Sequence, residues 1–89
     1  MKVRYSKNAL KSLLSMPEST VSDLLKEINL YVKSPELVRS FSVVGSSDRR
    51  KFFQCGPYYV VIKQTVFKGH TVQYVTEILT EEDYQYTLF

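Results

Sequence analysis

The stretch KFFQCGPYYVVIKQTVFKGHTVQYVTEIL, residues 51–79, decides the fold. Its residues alternate with a period of two, and the alternation is broken twice, at Gly56-Pro57 and at Lys68-Gly69. Each break has the length and residue types of a two-residue hairpin turn. The spacing therefore predicts three antiparallel strands: Lys51 to Cys55, Tyr58 to Phe67, and His70 to Leu79. On the long middle strand Tyr58, Val60, Ile62 and Val66 share one face, and Tyr59, Val61, Lys63 and Phe67 share the other. On the third strand the same rule groups Val72, Tyr74 and Ile78.

Upstream the period changes to that of a helix. Val21, Leu24, Leu25, Ile28 and Tyr31 or Val32 form one apolar stripe, with Asp23, Lys26 and Glu27 off it. Ser15-Met16-Pro17-Glu18 reads as a capping box opening this helix, with Pro17 in the first turn, where no amide is needed. Ser34-Pro35 closes it, because the residue before a proline is pushed out of the α region. An earlier helix runs from a Ser6 N-cap to about Leu14, with Ala9, Leu10, Leu13 and Leu14 at helical spacing. Lys2 to Tyr5 alternates as a short strand. Glu36 to Arg39 can make one further turn, and Phe41, Val43 and Val44 a short extended segment before the loop Gly45-Ser46-Ser47-Asp48. The expected fold is α+β: a short N-terminal strand, two helices, then a three- to four-stranded antiparallel sheet with the helices on its apolar side. Residues 1–89 read as a single domain, with no repeat or linker.

The totals narrow the chemistry. A chain of 89 residues that is 44% apolar and 24% charged is an ordinary globular composition. No apolar run approaches the ~18 residues that span a bilayer. The basic start of the chain is followed by no apolar segment, so no signal peptide is expected. Cys55 is the one cysteine and cannot form an internal disulfide, which suits a reducing, cytoplasmic setting. With one Cys and one His, structural zinc is not expected. Gly45, Gly56 and Gly69 are too scattered for a phosphate-binding loop, and no cofactor is implied.

The charge is unevenly laid out. Net charge is +3, yet from Arg49 to His70 there are five bases (Arg49, Arg50, Lys51, Lys63, Lys68) and no acid. From Glu77 onward there are four acids (Glu77, Glu81, Glu82, Asp83) and no Lys or Arg. A basic centre suits an anionic partner such as RNA, DNA or an acidic protein segment, or it serves only to keep a small sheet soluble. The cations alternate with aromatics, Phe52, Phe53, Tyr58, Tyr59 and Phe67 among them. RNA is held by such a mixture, with phosphates on cations and unstacked bases on rings. The alternative is that half of these rings are core. A cationic face can also cleave RNA without a metal, by stabilising the charge that builds on the phosphate as the 2′-oxygen attacks. Histidine is the side-chain type that titrates near neutrality, so His70 is a proton-transfer candidate, although it also fits an exposed turn residue. Cys55 reads as a small buried thiol rather than as a nucleophile. Glu81-Glu82-Asp83 reads as a solvated helix start or turn.

The order of these elements resembles the RelE/ParE superfamily of bacterial toxins from toxin–antitoxin modules. The resemblance rests on Val3-Arg4-Tyr5-Ser6-Lys7-Asn8-Ala9-Leu10-Lys11-Ser12-Leu13, the long helix ending in Ser34-Pro35-Glu36, the strand Gly56-Pro57-Tyr58-Tyr59-Val60-Val61-Ile62, and the terminal Tyr84. It covers nearly the whole chain, and the order of its short motifs carries most of the weight. It implies a growth-inhibiting protein held by a cognate antitoxin in a hetero-oligomer. Its activity would be either ribosome-dependent mRNA cleavage without a metal, as in RelE, or binding and inhibition of DNA gyrase, as in ParE. A non-toxic interaction module of the same fold is a third reading. For the ribonuclease branch the candidate RNA-binding residues are Arg49, Arg50 and Lys51, the bases nearest the family's basic strand, with Tyr59. The candidate catalytic residues are Tyr84, which matches the family site, and Lys63 and His70, which could compensate for cations that this chain lacks. Two positions depart from that branch. Tyr59 stands where arginine is usual, and Thr80-Glu81-Glu82-Asp83 stands where a further Arg or His normally precedes the terminal Tyr.

Overall fold

The computed structural model describes residues 2–43, 45 and 49–83. Strand β1 (Lys2–Tyr5) leads into helix α1 (Lys7–Leu14) and helix α2 (Glu18–Lys33), followed by one 3₁₀ turn at Pro35–Leu37. Strands β2 (Phe41–Ser42), β3 (Lys51–Cys55), β4 (Tyr58–Phe67) and β5 (His70–Thr80) complete the order. They form one five-stranded sheet in the order β1-β5-β4-β3-β2. The meander β3–β4–β5 is antiparallel as the alternation predicts, and its two turns fall where expected. At the second turn Lys68 and Gly69 have φ of 50° and 78°, the pair of left-handed residues that matches the twist of a tight hairpin. Gly56, at φ 58°, supplies the left-handed residue of the first turn.

Four details differ from the sequence reading. The sheet has five strands because both short segments join it: Phe41–Ser42 pairs with β3, and β1 pairs with β5 in parallel, Lys2 beside Val72 and Tyr5 beside Val75. The capping box at Ser15 does not form. Ser15 instead ends α1, and its hydroxyl donates to the Ser12 carbonyl at 2.8 Å, leaving Pro17 as the N-cap of α2. The predicted grouping of Val72, Tyr74 and Ile78 is broken by a bulge. The β4–β5 register passes from Val61–Glu77 to Ile62–Val75, so Thr76 is the extra residue, and every side chain beyond it changes face. Ile78 and Val75 therefore both point to the core, while Val72 and Tyr74 point away from it.

The bulge is tied down from outside the sheet. The Thr76 hydroxyl donates to the Val61 carbonyl at 3.2 Å, and the Ser6 hydroxyl donates to the Thr76 carbonyl at 2.5 Å. The Ser6 oxygen also accepts the Ala9 amide at 3.0 Å, the expected N-cap bond of α1. Both helices lie on the face carrying Phe53, Val60, Ile62, Val75 and Ile78, and Leu24, Ile28 and Tyr31 of α2 close the core over them. Tyr31 stacks on Phe53 with ring centroids 5.0 Å apart. Burial of side chains this size contributes about 1.5–3 kcal/mol each. The opposite sheet face carries no helix among the described residues.

Candidate functional site

The register fixes which residues belong to the helix-free face. Along its rows lie Phe41, Phe52, Val61 and Glu77; then Gln54, Tyr59 and Leu79; then Lys63, Tyr74 and Arg4; then Thr65, Val72 and Lys2; and last Phe67 with His70. Val61 and Val72 are buried among their neighbours. At one end the rings form a ladder. Phe41 stacks on Phe52 at 5.5 Å between centroids, Phe52 meets Tyr59 tilted at 6.2 Å, and the Arg39 guanidinium lies 5.2 Å from the Phe41 ring. Phe41 is 46% exposed. Apolar rings held on a wet surface in this way form a stacking platform for planar groups.

The basic run Arg49-Arg50-Lys51 is split between the two faces. Lys51 is opposite Ile62 and so points to the helix side. Arg49 turns the chain at φ 56°, and both line a cavity of about 580 Å³ with Tyr31, Pro35, Gln64 and Gln73. Arg50 goes the other way. The Val43 amide donates to its carbonyl at 3.0 Å, which extends the β2–β3 ladder by one pair. Continuing the β3–β4 register by the same step sets Arg50 opposite Lys63 on the open face, beside Phe52. Directly paired side chains have Cβ atoms about 5 Å apart, and like charges there repel.

Of the other predicted residues, Tyr59 is on the open face and half-buried against Phe52. His70 is exposed at the start of β5, opposite Phe67, while Tyr59 is eight residues before Phe67 on β4. At about 3.3 Å per residue, that separates His70 from Tyr59 by about 26 Å, and from Lys63 by about 13 Å. One phosphodiester cannot touch both His70 and Tyr59. Tyr84 lies outside the described residues. Cys55 and His70 sit at opposite ends of β4, so they form no nucleophile pair. Burial, and then the nearby charges of Glu27 and Asp23, push the Cys55 thiol pKa up, and burial does the same to the Tyr5 phenol. Glu81, Glu82 and Asp83 are exposed and helical, with the Thr80 hydroxyl accepting the Asp83 amide at 3.3 Å.

Four side chains on this face were not singled out from the sequence: Lys2, Arg4, Arg39 and Phe41. The alternation of Lys2 to Tyr5 was legible, but not that β1 lies beside β5. The Arg4 guanidinium carbon sits 3.7 Å above the centre of the Phe67 ring as a result. Among the described residues no three of His, Cys, Asp and Glu gather at a common point, and no helix is long and apolar enough to cross a membrane.

Two helices packed on one side of a five-stranded sheet, with the first strand parallel to the last, define a small α+β fold found in toxins of toxin–antitoxin modules. The chain has the fold of the RelE, YoeB and ParE toxins. It is similar to a chain of the archaeal RelE–RelB complex from Pyrococcus horikoshii OT3, with a TM-score of 0.68 and 19% identity over 89% of this chain and 92% of that one. The YoeB/ParE toxin from Agrobacterium tumefaciens superposes with a TM-score of 0.72 and 10% identity, over 91% of this chain and 99% of the other. A chain of the intact RelBE toxin–antitoxin complex from E. coli gives 0.62 and 18%, over 89% and 94%. No protein-family model matches the sequence, and no curated protein is close enough in sequence to count as a relative.

Proposed function

We propose that the protein is the growth-inhibiting member of a toxin–antitoxin pair and that it acts on RNA through the open face of its sheet. The observation that carries this reading is the Phe41–Phe52–Tyr59 ladder of rings, with Arg50 and Lys63 at the positions that continuing the β3–β4 register puts beside it. Two cations at neighbouring positions suit one phosphate, and the rings beside them suit the bases on either side of it. In this reading the pair stabilises the charge that grows on the phosphate as the neighbouring 2′-oxygen attacks, and each such group is often worth about 10²-fold in rate. Tyr84 is the proposed proton-transfer group, as the resemblance implies. The partner that silences the protein is a cognate antitoxin, by analogy with the RelB-bound neighbours.

The test is induction of the protein in cells lacking the antitoxin, with primer extension on abundant mRNAs. Codon-linked cuts are expected, and they should fall at least tenfold in Arg50→Ala and Lys63→Ala. Intact transcripts in growth-arrested cells would overturn the nuclease reading.

A second reading is favoured by Glu77, which the register places on the same face, two strands from Phe52. A carboxylate there repels a phosphodiester, which suits a protein that binds its target without cutting nucleic acid, as ParE-like inhibition of DNA gyrase does. Supercoiling by purified gyrase, inhibited at micromolar protein and restored by antitoxin, would support it.

A further inference from the structure

The far end of the open face carries a second cluster of charge. Lys2 and Arg4 from β1, Lys68 from the β4–β5 turn, and His70 and Thr71 from β5 surround Phe67 and line a cavity of about 630 Å³. A smaller cavity of about 330 Å³ adjoins it, shares Arg4, Phe67 and Val72, and reaches Lys63 and Tyr74. Among the described residues no carboxylate lines either cavity. Arg4 lies 3.7 Å above the centre of the Phe67 ring, and the Lys68 ammonium is 5.5 Å from the same centre. Phe67 is 38% exposed, so one side of the cluster is open to a ligand.

Two full positive charges, Arg4 and Lys68, meet on one ring here, and Lys2 lines the same cavity; Arg4 and Lys68 come from segments more than sixty residues apart in sequence. Cations needed only for solubility gain by spreading out. These instead converge, an arrangement that a bound anion would stabilise. The cluster is also continuous with the site proposed above. Lys63 is shared, and Tyr59 lies about 26 Å from Phe67 along β4 at about 3.3 Å per residue. A strip of that length is too long for one phosphate and suits an extended polyanion. Its other end is a ladder of rings, a repeated stacking surface of the kind that successive bases of a strand occupy.

We infer that the Lys2–Arg4–Lys68 cluster around Phe67 is a second RNA-contact site, which grips backbone phosphates several nucleotides away from the bases stacked on Phe52 and Tyr59. This rests on the open-face reading of the preceding section. The distal site supplies affinity and direction along the strand, and it contacts no reacting atom. Arg4, seated over the Phe67 ring, presents its guanidinium fork to phosphate oxygens. Lys2 and Lys68 act as point charges on either side.

The test is fluorescence anisotropy of the full chain with a labelled twelve-nucleotide oligouridine and a labelled three-nucleotide one, across a series of salt concentrations. The variants are Lys2→Gln with Lys68→Asn, and separately Phe52→Ala. Asparagine is chosen at position 68 because it tolerates the φ of 50° there, and circular dichroism checks that each variant keeps the native fold. The double variant should bind the long oligomer about tenfold more weakly, with the slope of log K against log salt shallower by about 1.4, at about 0.7 per phosphate contact on single strands. Its affinity for the short oligomer should be unchanged. Phe52→Ala should weaken both oligomers and leave the slope as it was. Equal binding of the long oligomer by wild type and double variant would overturn the distal site while leaving the open-face reading intact. Loss in the double variant with no effect of Phe52→Ala would keep the distal site and overturn the stacking platform. No RNA binding by wild type, together with Lys2- and Lys68-dependent binding of labelled polyglutamate, would assign the cluster to an acidic protein partner and overturn the inference.

Discussion

Ser6 uses one hydroxyl twice, accepting the Ala9 amide and donating to the Thr76 carbonyl. Ser6→Ala should therefore cost more than an ordinary cap, about 1–3 kcal/mol, read as a lower urea midpoint at an unchanged m-value. The cap itself was legible in the sequence, since Ser6 precedes an apolar-periodic run. Its second bond was not, because it depends on a carbonyl 70 positions away. Ser15 shows the opposite failure. Its capping box was a good local pattern, yet Pro17 already occupies the N-cap and Ser15 is taken by the end of α1. Cys55 carries a prediction of a different kind. A raised thiol pKa means less thiolate at a given pH, so iodoacetamide should label Cys55 more slowly at pH 8 than it labels a small model thiol. Labelling should speed up with pH beyond the range where the model thiol has levelled off. Equal rates at pH 8 would contradict the burial and the neighbouring acids Glu27 and Asp23 as the cause.

Among the elements, the meander was readable nearly to the residue, because alternation and turn chemistry agree over residues 51–79. What failed was parity. One extra residue at Thr76 reverses the faces, and nothing in the local composition announces it, since Thr76 is an ordinary strand residue. The bulge is needed: it lets Ile78 and Val75 both reach the core. Deleting Thr76 should turn one of them outward, with loss of cooperative unfolding and of near-UV circular dichroism. Thr76→Val keeps the residue count and removes only the bond to the Val61 carbonyl, so it should cost about 1 kcal/mol. Phe53→Ala, at a fully buried ring stacked on Tyr31, should cost about 3–5 kcal/mol by the same urea measurement.

At the scale of the whole molecule, the helices consign one sheet face to the core and leave the other to display cations and rings. The sequence carries the ingredients of that display but not their sorting. Arg49, Arg50 and Lys51 are consecutive and still end on different sides, because the β3 pleat turns Lys51 toward the helices and, continued by one residue, turns Arg50 to the other face, after the left-handed backbone at Arg49. Lys2 and Arg4 could not be assigned at all until β1 was placed beside β5. The acid on this face gives a further test. Glu77→Lys removes a repulsive charge and adds an attractive one, so oligouridine affinity at low salt should rise about tenfold, with a steeper salt slope. An unchanged affinity would mean that RNA does not pass near β5 at that height.

The parallel pairing of β1 with β5 also sets a schedule for synthesis. The first strand made has no partner until the last strand of the sheet has been made, and the Ser6–Thr76 bond closes the same long loop. Contacts so distant along the chain form late, because ordering the loop comes before any return from the contact. A nascent chain can build its helices and the β3–β4 hairpin, but the Lys2–Arg4–Phe67 corner does not exist until β5 docks. Should the protein be harmful to the cell that makes it, this topology withholds that surface until residues 70–80 are in place, a delay written into the strand order itself.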